Sequence, residues 1–180
     1  MTKTKRRAEA GAAQLRRLYM DGRSGQVHLT TAYPPSGGFD ECTPLVFLHA
    51  DGGSGADFNR AAAVLGIDRS VYAPDLPGSG ASDPEKGRST VASHAAAIAD
   101  LIDQLRLKQV DLIGVCRGAS IAFELAASRA QSVRRVVVVG AAAVPAVAKP
   151  LLELELDAAG LKAGPVEPLV AAIRGFLDRV

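Results

Sequence analysis

Four short runs of apolar residues recur along the chain, each about the length of one strand. They lie at 44–50 (PLVFLHA), 70–75 (SVYAPD), 110–115 (VDLIGV) and 134–140 (RRVVVVG). Runs that are apolar at nearly every position are typical of strands in a parallel sheet covered on both faces. Ahead of them, RRLYM and QVHLTTAY flank the turn-forming segment DGRSG, and this pattern predicts a β-hairpin.

Helical spacing of apolar residues appears between and after these runs. The predicted helices cover 56–66, 89–105, 118–130 and 165–180. Ser89 or Thr90 is the expected N-cap of the second helix. The alternation of strand and helix predicts an α/β domain with right-handed crossovers, a mainly parallel sheet and helices on both faces.

Composition and charge set the domain organisation. The 180 residues, 48% of them hydrophobic, suffice for one well-packed domain. The first 17 residues hold six basic residues against one acid, Glu9, with no apolar segment behind them. We interpret residues 1–16 as a flexible basic arm and 17–180 as a single domain. No aromatic residues interleave the basic ones, so a nucleic-acid partner is not expected.

Targeting signals and cysteine usage favour the cytoplasm. No apolar stretch approaches membrane-spanning length, and no secretory signal is recognisable. Cys42 and Cys116 form no CxxC motif; the sequence alone allows one disulfide between them, but without a signal peptide two free thiols are expected. His28, His49 and His94 are far apart along the chain, so no metal site is predicted.

Three glycine-rich stretches begin where a predicted strand ends, namely HADGGSG (49–55), DLPGSGASD (75–83) and GVCRGA (114–119). Ligand sites of parallel sheets gather at this edge. None of the three matches GxGxxG or GxxxxGK[ST], so no nucleotide cofactor is predicted.

The stretch GVCRG has the form of a nucleophile elbow, a sharp turn from strand to helix. Gly114 and Gly118 would allow close approach of neighbouring backbone, and the following helix would direct its free N–H groups at Cys116. The alternative is that Cys116 is a small hydrophobe filling a tight corner.

These motifs, in their order from about residue 17 to Gly140, resemble those of the α/β-hydrolase family. VFLHADGGSGADF is similar to the end of the family's third strand with its oxyanion loop, and VYAPDLPGSGASD to its fourth-strand loop. STVASHAAAIADLIDQLRLKQVDLIGVCRGASIAFELAA is similar to helix B, strand 5, the elbow and helix C. The resemblance implies an α/β-hydrolase-like fold.

The resemblance also assigns roles to residues. Most family members have serine at the elbow, but dienelactone hydrolases and polyhydroxyalkanoate synthases have cysteine, which implies Cys116 as the nucleophile. The implied oxyanion hole consists of the backbone N–H groups of Arg117 and of Asp51, in the loop after His49. Ala50 stands where the family usually has glycine, and an Asp51 carboxylate pointing inward would oppose the oxyanion.

The family order of nucleophile, acid and histidine is incomplete, because no histidine follows Cys116. The segment 149–180 fits two registers. As strand 8 it places Leu161 at the histidine position, and as strand 7 it places Asp157 at the position of the acid. One C-terminal strand is therefore expected to be missing, and 141–150 is too short for a cap.

The three histidines are assigned other roles. His49 is expected to support the oxyanion loop, His94 to be partly buried or exposed on its helix, and His28 to lie remote from the elbow.

The expected function is a cofactor-free hydrolase acting on an ester, thioester or lactone of a small molecule by acyl transfer through Cys116. One alternative is a catalytically silent relative that binds a small ligand or a partner. Another is a shortened gene product that keeps the fold without a function. The substrate and the oligomeric state are left open.

Overall fold

The computed structural model describes residues 12–35, 42–85, 87–141, 145, 149–154 and 164–178. The strands are β1 (Leu15–Gly22), β2 (Gly25–Ala32), β3 (Leu45–Leu48), β4 (Val71–Pro74), β5 (Val110–Val115), β6 (Val133–Val139) and β7 (Leu151–Leu154). The helices are α1 (Asn59–Leu65), α2 (Val91–Gln104), α3 (Arg117–Ser128) and α4 (Val166–Leu177), and a 3-10 turn, Gly55–Phe58, precedes α1. Each predicted strand and helix is present.

The strands form one mixed sheet in the order β1-β2-β4-β3-β5-β6-β7. The hairpin β1–β2 and the pair β2–β4 are antiparallel, and every later pair is parallel. The carboxyl ends of β3, β4 and β5 therefore lie at one edge of the sheet. This places all three glycine-rich stretches along that edge, as the sequence predicts.

Two apolar layers cover the two faces of the sheet. On one face, α2 and α3 pack through buried residues such as Ile98, Ile102 and Ile121. On the other face, α1 and α4 pack through residues such as Leu65 and Ile173. Because both faces are covered, β3, β4 and β5 are buried at every position, which explains their continuous apolar runs.

Polar side chains fix the ends of individual elements. The Thr90 hydroxyl accepts a hydrogen bond from the Ser93 backbone N–H at 3.0 Å, and the Ser93 hydroxyl bonds back to the Thr90 N–H. This reciprocal cap starts α2 at Val91, so Thr90 rather than Ser89 is the N-cap. None of the helices within the described ranges is long and apolar enough to cross a membrane.

The described residues at the two ends of the sheet show where its first and last strands lie. β1 begins at Leu15, and the Ala13 N–H donates to the Ala63 carbonyl at 2.7 Å, so ordered packing starts before residue 17. Residues 1–11 of the predicted arm lie outside the described residues. β7 pairs with β6, the place that a seventh strand would take, while Asp157 and Leu161 lie outside the described residues.

Candidate active site

Cys116 lies between the end of β5 and the first residue of α3 in a conformation that L-residues rarely adopt. Its backbone angles are φ 49° and ψ −110°. Its N–H donates to the Val139 carbonyl at 2.9 Å, and its own carbonyl accepts from the Ala119 N–H at 3.0 Å. Such a conformation costs about 1–3 kcal/mol and persists only where the surroundings enforce it. The turn from strand to helix is therefore as sharp as the GVCRG motif predicts.

Gly114 and Gly118 are required by close approaches of backbone. A Cβ on Gly118 would lie 2.0 Å from the Leu48 carbonyl oxygen, and one on Gly114 would lie 2.4 Å from the Gly118 carbonyl oxygen. Both distances are far below van der Waals contact, and both obstructing atoms are backbone atoms of the sheet or helix. The two glycines thus let α3 start directly against β3 and β5.

His49 is a buried residue whose two ring nitrogens are both engaged. Nδ1 lies 2.7 Å from the Ala50 carbonyl oxygen, and the Leu76 backbone N–H donates to Nε2 at 2.9 Å. The carbonyl can only accept, so Nδ1 carries a proton. Nε2 accepts from the Leu76 N–H and is therefore unprotonated, so the ring is neutral. Burial lowers the pKa of His49, although the Ala50 carbonyl opposes that shift. The ring therefore links the loops after β3 and β4, and it has no lone pair left to act as a base.

The Ala50–Asp51 peptide is oriented by these contacts. The Ala50 carbonyl accepts from the His49 ring and also from the Gly53 N–H at 3.0 Å. Because a trans peptide directs its N–H opposite to its C=O, the Asp51 N–H points away from the His49 ring. In the described part of the chain, neither the Asp51 N–H nor the Arg117 N–H has a hydrogen-bond acceptor. These are the two donors that the sequence predicts for an oxyanion hole.

Asp75, at the carboxyl end of β4, fixes the surrounding loops. Its carboxylate accepts hydrogen bonds from the Gly55 N–H at 2.6 Å and the Ala81 N–H at 2.8 Å. The same carboxylate contacts Nδ1 of His28 at 2.9 Å. The sequence analysis did not single out Asp75, although an acid directly after a buried strand and before PGSG could have indicated its role.

The Arg117 side chain lies between two loops of the same edge. Its Nε is 3.4 Å from an Asp51 carboxylate oxygen, and its guanidinium donates to the Ser89 hydroxyl at 3.3 Å. The Asp51 side chain is 78% exposed, so the carboxylate points to solvent beside the guanidinium. The concern that Asp51 would point at the oxyanion therefore finds no support in this arrangement.

His94 differs from its expected position, because it is 4% exposed rather than partly buried or exposed. Its Nε2 lies 3.1 Å from a Glu85 carboxylate oxygen and 3.2 Å from the Ser89 hydroxyl. Burial opposes ionisation of Glu85, but hydrogen bonds from Ser93 and Ser89 and the nearby His94 lower its pKa overall. Glu85 and Ser89 lie before α2 in the chain, and no local pattern in α2 indicates that they contact His94.

None of the three histidines forms a hydrogen bond with Cys116. His28 lies on β2, three strands from β5, and contacts Asp75, which follows β4; this position agrees with the expected remoteness of His28 from the elbow. Among the described residues, no cluster of His, Cys, Asp and Glu suits a metal ion, and both cysteines are free. The structure thus brings the sharp turn at Cys116, the loop after β3 and Arg117 to one edge of the sheet, without a histidine hydrogen-bonded to Cys116.

A cavity of about 680 Å³ lies at the opposite edge of the sheet. Its lining includes Cys42, Pro44, Ser70 and Lys108, which precede β3, β4 and β5. Cys42 is therefore separated from Cys116 by the length of the strands. The strained turn, the unpaired backbone donors and the guanidinium all lie at the other edge, so the candidate site is placed there.

The fold and this turn define the class of protein. The family model for the alpha/beta hydrolase fold matches residues 43–179, more than half of the chain, and the protein belongs to the α/β-hydrolase family. The sequence-based assignment of the fold is confirmed.

Individual relatives resemble parts of the chain. It is 33% identical over 108 residues to 2-hydroxymuconate semialdehyde hydrolase of Pseudomonas sp. strain CF600. The matched region covers 56% of this chain and 37% of that protein. Among solved structures, the epoxide hydrolase CorEH superposes with a TM-score of 0.65 at 25% identity over 71% of this chain and 43% of its own. The N-acyl homoserine lactonase AidH superposes with a TM-score of 0.63 at 25% identity over 70% of this chain and 45% of its own. The chain thus spans less than half the length of these relatives.

Proposed function

We propose that this chain carries the nucleophile of a hydrolase that opens ester, thioester or lactone bonds of small molecules by acyl transfer through Cys116. The observation that supports the proposal most strongly is the strained backbone of Cys116 at the head of α3. A cysteine that merely fills a corner gains nothing from such a conformation, whereas a nucleophile needs it to project from the sheet edge. Hydrolysis is also the activity named for the relatives above.

The proposed acylation involves Cys116 and two backbone N–H groups. The Cys116 Sγ attacks the carbonyl carbon of the substrate, and the thiol proton passes to solvent. The backbone N–H groups of Asp51 and Arg117 bind the developing oxyanion, and each such donor is commonly worth about 3–4 kcal/mol in the transition state. Collapse of the tetrahedral intermediate re-forms the carbonyl, expels the alkoxide or thiolate leaving group and leaves a thioester on Cys116.

Deacylation is the slow step of this scheme. Water must attack the thioester, but each imidazole of the chain is engaged elsewhere, with His49 bonded to Ala50 and Leu76, His94 near Glu85, and His28 near Asp75. Because none of these imidazoles is hydrogen-bonded to Cys116, none is placed to activate that water. An activated ester should therefore give a burst of leaving group close to one equivalent per chain, followed by slow turnover.

Stopped-flow absorbance with 4-nitrophenyl acetate tests the proposal. The burst should be absent in Cys116→Ala and unchanged in the matched variant Cys42→Ala, whose thiol lies at the opposite sheet edge. Intact-protein mass spectrometry should find one acetyl group on the wild type and on Cys42→Ala. A wild-type protein that shows no burst and no acetylated Cys116 would disprove the role of Cys116.

The engagement of all three imidazoles supports a second candidate, a relative that binds a small ligand over the elbow without catalysis. The burst experiment and a thermal-shift measurement distinguish this candidate from the hydrolase. A silent binder shows no burst but a ligand-induced rise in melting temperature that persists in Cys116→Ser.

A further inference from the structure

The side chain of Arg117 puts a positive charge beside the proposed nucleophile. Arg117 follows Cys116 directly, and its guanidinium spans from Asp51, after β3, to Ser89, before α2. Its side chain is 27% exposed, so part of the guanidinium is accessible from solvent at the site. A charge at this place is available to a ligand that binds next to the sulfur.

A chain of polar contacts links the guanidinium to the buried His94. The Ser89 hydroxyl accepts from Arg117 and lies 3.2 Å from Nε2 of His94, which in turn lies 3.1 Å from Glu85. His94 and Glu85 have little exposure, and the Ser93 hydroxyl donates to the second Glu85 oxygen at 2.6 Å. Ser89 is itself exposed, but its contact with the buried His94 ring restricts where the guanidinium lies.

The hydrogen-bonding capacity of the guanidinium is not used up. Nε is buried and, among the described residues, has no hydrogen-bond acceptor, since the Asp51 oxygen at 3.4 Å is within ion-pairing distance but poorly placed. Nδ1 of His94 is also buried without a described partner. A buried guanidinium N–H that lacks an acceptor is costly, and a carboxylate or phosphate oxygen would satisfy it. The exposed Asp51 carboxylate is easily displaced, because ion pairs with exposed partners are weak.

We propose that Arg117 forms an anion-binding subsite next to Cys116, so that the acyl substrates carry a carboxylate or a similar anionic group. This inference rests on the proposed function for the reaction, but not for the binding of the anion. Arg117 then has two roles: its backbone N–H faces the oxyanion, and its guanidinium binds the charged end of the substrate. Ser89, His94 and Glu85 are positioning residues that act through Arg117.

Alkylation with a matched pair of reagents tests the subsite without any hydrolytic activity. Iodoacetate and iodoacetamide both form a C–S bond with the thiolate and expel iodide, and they differ in the carboxylate. Rates are measured separately at Cys116 and Cys42 in the same full-length chain by peptide mass spectrometry. The iodoacetate-to-iodoacetamide rate ratio at Cys116 should exceed that at Cys42 about tenfold, the lower end for a charged hydrogen bond that competes with Asp51.

Variants distinguish the effect of the Arg117 guanidinium on the rate ratio from an effect on folding. Arg117→Gln keeps the backbone N–H and should reduce the ratio at Cys116 to that of Cys42, whereas Arg117→Lys should restore part of it. Asp51→Asn should raise the ratio, since it removes the competing carboxylate. Ser89→Ala should lower it partly. Equal ratios at the two cysteines in wild-type protein, or a Cys116 inert to both reagents, would overturn the subsite.

A second measurement links the subsite to the proposed reaction. Acylation of Cys116 by 4-nitrophenyl hemisuccinate is compared with acylation by neutral 4-nitrophenyl butyrate. The anionic ester should acylate about tenfold faster, and Arg117→Gln should remove this preference. If neither ester acylates Cys116 but iodoacetate is preferred, the proposed function fails and the subsite stands. If both acylate at equal rates, the subsite fails and the proposed function stands.

Discussion

The elbow can be tested by adding a single methyl group at Gly118. The Cβ of Gly118→Ala would lie 2.0 Å from the Leu48 carbonyl oxygen, 2.6 Å from the Leu48 carbonyl carbon and 2.9 Å from the His49 carbonyl oxygen. These atoms belong to the buried end of β3, so the methyl group fits only if α3 moves away from the sheet. Overpacking that side chains can relieve costs about 1–3 kcal/mol. Since backbone atoms obstruct here, we expect a loss of at least about 3 kcal/mol.

Gly175→Ala in α4 is the matched control. Apart from its chain neighbours and the nearby backbone of α4, no atom of the described residues lies within 4 Å of its added Cβ, and alanine is favoured over glycine inside a helix by about 0.5–1 kcal/mol. Urea titration followed by circular dichroism gives both free energies of unfolding. A Gly118→Ala protein whose stability is within about 0.5 kcal/mol of the wild type, the range of neutral surface changes, would show that α3 does not approach β3 as described.

Two further predictions concern stability. Burial lowers the pKa of His49, so below about pH 6.5 the unfolded chain binds more protons than the folded one and stability falls. In urea titrations, the difference in free energy of unfolding between wild type and His49→Gln should shrink by up to about 1.4 kcal/mol per pH unit as the pH falls, and a constant difference would contradict this. Arg69 is 1% exposed between Asp68 and Asp178, so Arg69→Met should lower the free energy of unfolding by about 3 kcal/mol, because it breaks a largely buried ion pair. Arg23→Met, which removes the ion pair of a side chain that is 62% exposed, should lower it much less, and similar losses in the two variants would refute the role of burial.

The fold was predictable because its signals are local. The continuous apolar run at 110–115 marks β5 because that strand is covered on both faces, and the Thr90 cap marks the start of α2. The elbow was predictable for the same reason, since GVCRG specifies a turn within five residues. These features depend on the backbone and on burial, which a short stretch of sequence encodes.

The contacts around the elbow were not predictable, because they join distant parts of the chain. His94 reads as one residue in an alanine-rich helix, and only the loop that carries Glu85 and Ser89 explains its burial. Arg69 is fully buried, although charged residues rarely are. It is paired with Asp178, which follows α4 and lies 109 residues away along the chain. Charge pairs of this kind follow from tertiary packing, and no periodicity in the sequence indicates them.

The arrangement at the sheet edge distinguishes between a retained chemical site and a mere remnant of the fold. Packing alone would allow any small residue at position 116 and would favour glycine, because φ is 49° there. The chain instead has a thiol in this strained position, next to two N–H groups without a described acceptor and an arginine that contacts Asp51 and Ser89. Each of these features costs stability or contributes little to it. Their coincidence at one edge is what the proposed role of Cys116 requires, and packing alone does not require it.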